Sequence, residues 1–474
     1  MINKFIAKTV VLLSIVILLF NLLFFGDDSF GIIYSLGNLF VVLVCMGLFL
    51  YAMHYYIRLP LRTFMKQIFW FSFIFRILSI LIVYLILHYI IGGDLSIEEY
   101  DTVFYDHYGR LLATFYKTGI ANSEYTSFLH NVEFDDKGYI FILSIVYTVF
   151  DNVLFAKLIQ GLVDSFSVLL ICKITSKIYG ENIGKTAAIL FTIFFPLIVM
   201  ASLQAKEVYL VFFLLIAIYY TIKLTERRFK FKYLLFVTIA LVAIFSMRTI
   251  LGFIVLASAT VYVFANIKYS FIAKTIIPLI LFSLIFYSLK DIGSIYDIQD
   301  QMKGYFGIDT GDETIVSGRS VKEYENKGQS YAQYATALFV VPQVIITPYP
   351  SMVKTNIKEY GTTMQWFFTG GLLIWSFMSF FSFIGIYRSI KFNFKRSSLI
   401  LYILFAYILV LVVSVYITST RFNIPKLVLL LIFAAVGLNY EFAARKRYFI
   451  IYAVIMSFAI IGWNFIKLSG RGLI

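Results

Sequence analysis

From residue 5 to residue 466 the chain returns repeatedly to runs of mostly apolar residues, each close to the roughly 20 residues that cross a bilayer as one helix. Thirteen such runs are read, at 5–25, 31–53, 67–92, 153–177, 184–202, 207–224, 231–247, 250–267, 271–289, 364–387, 398–418, 424–440 and 447–466. No other feature constrains the fold as strongly. A segment in lipid must satisfy every backbone polar group internally, and a helix does so without help. Composition agrees: 61% of the residues are hydrophobic and 14% are charged, against roughly 45–50% and 25% in soluble domains. That balance excludes a water-soluble enzyme, and it excludes a disordered chain, which lacks apolar residues. Cys45 and Cys172 lie in or beside apolar runs and offer neither a disulfide framework nor a zinc cluster. The expected fold is an all-α polytopic membrane protein.

The basic residues orient the spans. With the N-terminus in the cytoplasm, the inner segments hold 22 of the 40 Lys and Arg residues, among them Lys4, Lys8, Arg58, Arg62, Lys173, Lys177, Arg227, Arg228, Arg388 and Arg396. Those segments contain only Glu181, Glu226 and Glu441 of the acids, so every short inner loop is basic, as the positive-inside rule requires. The net charge of +14 is therefore read as a topology signal, with no nucleic-acid partner. The N-terminal run has no small-residue cleavage site and a second span follows at once, so it reads as a signal anchor. The expected location is a bacterial cytoplasmic membrane, crossed many times.

Two apolar stretches are refused as spans. Gly138–Asp151 is short for a crossing and suits an interfacial helix. Tyr331–Pro350 is broken by Pro342, Pro348 and Pro350. The chain then divides into three N-terminal spans (1–92), a first outer loop (93–152), a central set of spans (153–289), a second outer loop (290–363) and C-terminal spans (364–474). Interfacial helices are expected in the two long loops, which are where function tends to gather on a rigid scaffold.

The first loop is acidic, with ten Asp and Glu residues against Arg110, Lys117 and Lys137. Ser96 and Glu99 have capping-box spacing and Gly119 is a plausible stop, so a helix is expected between them. On it Asp101, Tyr105, Tyr108 and Leu112 share one face. Asp106 lies elsewhere on the cylinder, with Arg110 four residues on, the favourable order for a surface pair. Asp101 lacks such a partner and is the stronger general-base candidate, with Asp106 the second. Tyr105 and His107 stand beside these carboxylates as candidate substrate contacts. No histidine pair has ligand spacing, so no metal ligands are assigned, although a divalent metal is left open.

Charges also fall at the outer ends of later spans. Lys206 and Glu207 stand in ASLQAKEVYL, Arg248 in FSMRTILGF, and Arg421 and Lys426 in TSTRFNIPKL. Such residues are costly at the membrane unless paired or used. Together the cations suit an anionic group such as a lipid phosphate, and the competing reading is snorkelling or pairing with the loop acids. Arg76 and Asp164 fall inside spans, so each needs a partner.

The order of these features resembles the GT-C membrane glycosyltransferases, the group that includes protein mannosyltransferases and lipid A aminoarabinose transferases. Asp101, Tyr105 and Gly109 match a D-x-x-x-Y-x-x-x-[A/G] pattern in the first outer loop. GYIFILSIVYTVFD matches the interfacial segment and LFAKLIQGLVDSFSVLLICKITSKIYG the descending helix. SLQAKEVYL matches a charged outer turn, and RFNIPKLVLLLIFAAVGL an Arg-aromatic-x-x-Pro element. The resemblance implies a polyprenyl-phosphate-linked sugar as donor, a glycan, lipid or protein as acceptor, and inverting transfer with Asp101 as base and Lys206, Arg248 and Arg421 on the leaving phosphate. The alternatives are a polysaccharide polymerase or ligase that uses a diphosphate-linked lipid, and a polytopic transporter or flippase.

Overall fold

The computed structural model describes residues 2–25, 29–91, 95, 100–120, 128, 132, 134–226, 230–266, 342–350, 363–413, 420–440 and 446–469. The expected span 271–289, the Ser96 cap, His130 and most of the second long loop lie outside the described residues. Among the described residues every regular element is helical.

The helices are α1 (Ile2–Phe25), α2 (Ser29–Tyr55), α3 (Leu61–Ile86), α4 (Tyr100–Thr118), α5 (Phe134–Val149), α6 (Val153–Tyr179), α7 (Glu181–Thr192), α8 (Phe195–Ser202), α9 (Glu207–Leu224), α10 (Phe231–Phe245), α11 (Thr249–Asn266), α12 (Thr363–Val413), α13 (Thr420–Leu438) and α14 (Lys446–Ser469). Nine described helices are long and apolar enough to cross a membrane, and ten spans result if the bent pair α7–α8 counts as one. The protein is an all-α polytopic membrane protein. Leu12, Phe40, Ile74, Leu409 and Phe458 stand exposed on its flanks, the reverse of a soluble surface and the expected face toward acyl chains.

Most boundaries have local causes. Asn152 caps α6 by accepting the Phe155 N–H at 3.1 Å. Pro196 opens α8 in the first turn, where its missing N–H costs nothing, and α7 and α8 meet at 46°. The two spans expected at 364–387 and 398–418 are the two helices of α12, which part at Asn393, where φ is −133° and the backbone is not helical. Both halves lie on α13. Ser382 of the first half donates to the Leu430 carbonyl at 2.9 Å, and Tyr407 of the second donates to the Phe422 carbonyl at 2.7 Å. Gly385 and Gly437 permit this contact, since a β-carbon at either would lie 1.9 or 2.1 Å from the facing backbone oxygen. In α13 89% of the apolar window is buried, so it is the axis of the bundle.

The intramembrane charges found by sequence bind each other. Arg76 Nε lies 2.5 Å from Asp164 Oδ2, both fully buried. The same guanidinium donates to the Phe191 and Thr192 carbonyls at 3.4 Å. Both carbonyls stand where α7 breaks before α8, and the Phe191 carbonyl also accepts from the Phe194 N–H at 3.1 Å. Arg76 therefore holds one Asp164 oxygen and the broken helix end together, while Asp164 Oδ1 has no hydrogen-bond partner among the described residues.

The expected interfacial segment Gly138–Asp151 is the C-terminal part of α5, a 16-residue helix too short to be counted among the spans. It packs on α4. The α4 helix ends at Gly119, whose φ is +70°, at the expected stop.

Candidate functional site

Five separate chain segments converge at one end of the bundle: the first turns of α4 and α5, the turn between α8 and α9, the turn between α10 and α11, and the start of α13. Each brings a charge.

Arg421, in the first turn of α13, donates from Nη1 to Asp101 Oδ2 at 2.9 Å. Its Nε lies 3.4 Å from Glu207 Oε1. Arg248 donates to that same Glu207 oxygen at 3.1 Å and lies 4.6 Å over the Phe422 ring. The result is an alternating chain, Asp101–Arg421–Glu207–Arg248, that joins four segments. Exposure falls steeply along it. The Asp101 side chain is 50% exposed, Arg421 15%, Arg248 3% and Glu207 0%.

A second group flanks the first. Lys206 donates to Asp136 Oδ1 at 2.5 Å and to the Asp135 carbonyl at 3.0 Å. Tyr105 donates its hydroxyl to the same Asp136 oxygen at 2.6 Å. Burial works to raise the Asp136 carboxyl, but the Lys206 ammonium, the Tyr105 hydroxyl and the Arg421 charge together hold it below the usual range. Asp135 behaves in the opposite way. Its burial dominates and pushes its carboxyl up, against partial opposition from Lys206 and Arg248. The Tyr105 hydroxyl is pushed up by burial and then by the charges of Asp136 and Asp101, so it remains a donor.

The approach of α5 to the α10–α11 turn depends on Gly138. Its N–H donates to the Ser246 carbonyl at 2.9 Å, and a β-carbon there would lie 2.1 Å from Ser246 Oγ. This contact brings Asp135 and Asp136 to the turn that carries Arg248.

The sequence candidates divide into four sets. Asp101, Tyr105, Lys206, Glu207, Arg248 and Arg421 come together. Asp106 is nearby but engaged elsewhere: Arg110 Nε binds its Oδ2 at 2.9 Å, the expected pair, and Tyr147 donates to its Oδ1. His107 is exposed with its ring against Tyr108, and among the described residues it makes no hydrogen bond to the cluster. Lys426 is fully buried within α13, where it donates to the Val344 carbonyl at 2.5 Å and to Asn423 at 2.6 Å; it braces the segment 342–346 and does not join the other three cations. Sequence reasoning missed Asp136, named only as one of ten loop acids, and Tyr407, which accepts from Arg248 at 3.5 Å. No local signal marks either. Among the described residues no three His, Cys, Asp or Glu side chains gather as a metal site would need.

No family model and no curated protein matches the chain. Solved structures similar to it include two of archaeal origin. One is an archaeal oligosaccharyltransferase, AglB from Archaeoglobus fulgidus, in complex with an inhibitory peptide and a dolichol-phosphate: 13% identity, TM-score 0.39, 85% of this chain and 56% of that one. The other is the Archaeoglobus fulgidus oligosaccharyltransferase tethered to an acceptor peptide: 14% identity, TM-score 0.40, 84% of this chain and 55% of that one. This chain spans little more than half the length of either. Its own helices, not these values, define it as a polytopic membrane protein.

Proposed function

We propose that the protein is a GT-C-type membrane glycosyltransferase acting on the outer face of the cytoplasmic membrane, with a polyprenyl-phosphate sugar as donor. The observation that carries the reading is Asp101. It is the half-exposed end of a charge chain whose other members are less exposed, and its hydrogen bond is to a cation that reaches it from α13. A carboxylate in that position is open to an acceptor hydroxyl, while Arg421 beside it suits a phosphate oxygen.

In the proposed reaction Asp101 takes the proton of the acceptor hydroxyl. The hydroxyl oxygen forms a bond to the anomeric carbon from the side opposite the phosphate. The carbon–oxygen bond to the lipid phosphate breaks, and its electron pair leaves on the phosphate, which Arg421, Arg248 and Lys206 stabilise. Displacement from behind inverts the anomeric carbon. Each of these cations has a carboxylate partner in the structure, so the phosphate competes with Asp101, Asp136 or Glu207 for them. Arg421 is the most exposed of the three and is the first that an entering phosphate meets.

The test is transfer by the full chain in lipid nanodiscs, supplied with radiolabelled polyprenyl-phosphate sugar and, separately, with the diphosphate-linked form. Product from the monophosphate donor supports the reading. Product from the diphosphate alone, or movement of donor across a vesicle without covalent product, contradicts it.

A further inference from the structure

The turn between α8 and α9, residues 203–206, holds the one non-glycine residue among the described backbone with φ in the left-handed region, Gln204 at +59°. Residues with a β-carbon adopt that region seldom, and glutamine has none of the short-range hydrogen bonding that lets asparagine do so. Strain of this kind persists where the surroundings over-determine it. Gln204 is fully buried, and three helices hold its turn. Thr102 of α4 donates to the Leu203 carbonyl at 3.5 Å. Gln160 of α6 donates to the Ala205 carbonyl at 3.3 Å. Gln204 donates its own amide to the Tyr147 hydroxyl of α5 at 2.7 Å.

The last contact is part of a longer series. Tyr147 donates to Asp106, and Arg110 holds the other Asp106 oxygen at 2.9 Å. The Arg110 guanidinium lies 4.7 Å over the Tyr147 ring and also binds Asp151. Both Asp106 oxygens are therefore occupied, and the residue is only 9% exposed. The two residues that follow the strained turn are Lys206 and Glu207, which meet Asp136 and both arginines.

We propose that Arg110, Asp106, Tyr147 and Gln204 form a positioning relay that fixes the strained α8–α9 turn and so places Lys206, and through Glu207 the two arginines, at the site of a lipid-linked phosphate; in it Asp106 is a positioning residue and not the base. The proposal rests on the transfer reading above for its ligand, a phosphate carried by a polyprenyl chain.

The experiment uses the full chain in nanodiscs with two probes, radiolabelled polyprenyl-phosphate sugar for transfer and sugar-free polyprenyl phosphate for binding. Tyr147→Phe keeps the ring and removes both hydrogen bonds of its hydroxyl. It should raise KM for the donor and Kd for polyprenyl phosphate about tenfold, a typical effect of breaking buried hydrogen bonds, with the pH profile of kcat unchanged. Asp106→Ala should show the same loss, Asp106→Asn should recover the part carried by Tyr147, because the amide oxygen still accepts from its hydroxyl while the amide nitrogen cannot accept from Arg110, and Tyr147→Phe with Asp106→Ala should be no worse than either alone. Abolished transfer in Asp106→Asn, with loss of the acidic limb of the pH profile, would make Asp106 the base and overturn the proposal; so would unchanged KM and Kd in Tyr147→Phe. If the wild type binds polyprenyl phosphate without transferring sugar, the transfer reading fails and the binding shifts still decide the relay. If it does not bind, both fail.

Discussion

The Arg421 guanidinium donates to the Asp101 carboxylate at 2.9 Å across 320 residues of sequence. That contact joins the first helix of the acidic loop to the axial helix of the bundle. Through Glu207, which Arg421 also approaches, it extends to Arg248. The site is an alternating chain of charges rather than a set of cations awaiting an anion. This has consequences for what its mutations should do.

Glu207 holds two arginines and is fully buried. Glu207→Ala leaves Arg248 without its carboxylate in a buried site, at a cost of about 3–5 kcal/mol for a broken buried pair. Thermal unfolding in detergent should show a fall of many degrees for Glu207→Ala. Removing both partners, as Glu207→Leu with Arg248→Met, should restore much of the lost stability without restoring transfer. Equal stability of the single and double variants would show that the pair is not coupled.

The same logic applies to the membrane interior, with a different outcome for function. Arg76→Met alone leaves Asp164 buried and uncompensated and should reduce the yield of folded protein. Arg76→Met with Asp164→Leu should recover only part of it, because Arg76 also serves the Phe191 and Thr192 carbonyls at the break of α7. Full recovery would mean that those carbonyl contacts contribute nothing.

Gly138→Ala places a β-carbon 2.1 Å from Ser246 Oγ and 2.9 Å from the Ser246 carbonyl. Because backbone cannot move aside cheaply, α5 must shift, at a cost of about 1–3 kcal/mol. Transfer should fall more than stability does, since the shift withdraws Asp135 and Asp136 from the turn that carries Arg248. Paired measurements of melting temperature and kcat/KM check this, and an unchanged kcat/KM would contradict it.

Asp135 and Asp136 should respond to pH with opposite signs. The Asp136 carboxyl is held low, so its contribution to stability is present above the unfolded value of about 3.9 and is lost as pH falls through the folded value. The Asp135 carboxyl is held high. Its contribution is complete below about pH 3.9 and is lost as pH rises through the folded value. Near neutral pH Asp136→Asn should therefore destabilise the protein, while Asp135→Asn should be neutral or stabilising. Melting curves of both variants between about pH 4 and 8 read the difference, and a common sign would refute the assignment.

How much of this the sequence showed depends on the distance over which each feature is encoded. The spans follow from local apolarity, so the helices through 5–25, 153–177 and 207–224 match closely. The Asp106–Arg110 pair was legible because a helix places residues four apart side by side. Arg76 and Asp164 each declared a need for a partner, but not which one, since 88 residues separate them. The contact of Lys206 with Asp136 spans 70 residues, and nothing local distinguishes Asp136 from the other loop acids. The left-handed backbone at Gln204 has no sequence signal at all, because glutamine is not a residue that conformation selects. Lys426 misled because its neighbourhood resembles that of Arg421, and only the turn of α13 between them separates a buried brace from a member of the charge chain.

In the proposed reaction Asp101 removes the acceptor proton. Single-turnover transfer from radiolabelled polyprenyl-phosphate sugar by Asp101→Asn tests it most directly, with donor binding and melting temperature measured on the same preparation. Asn retains the size and an oxygen to accept from Arg421, so folding and donor binding should change little, while the rate should fall by at least about a hundredfold, the lower end for loss of a general base. Transfer within a few fold of wild type by folded, donor-bound Asp101→Asn would contradict the account.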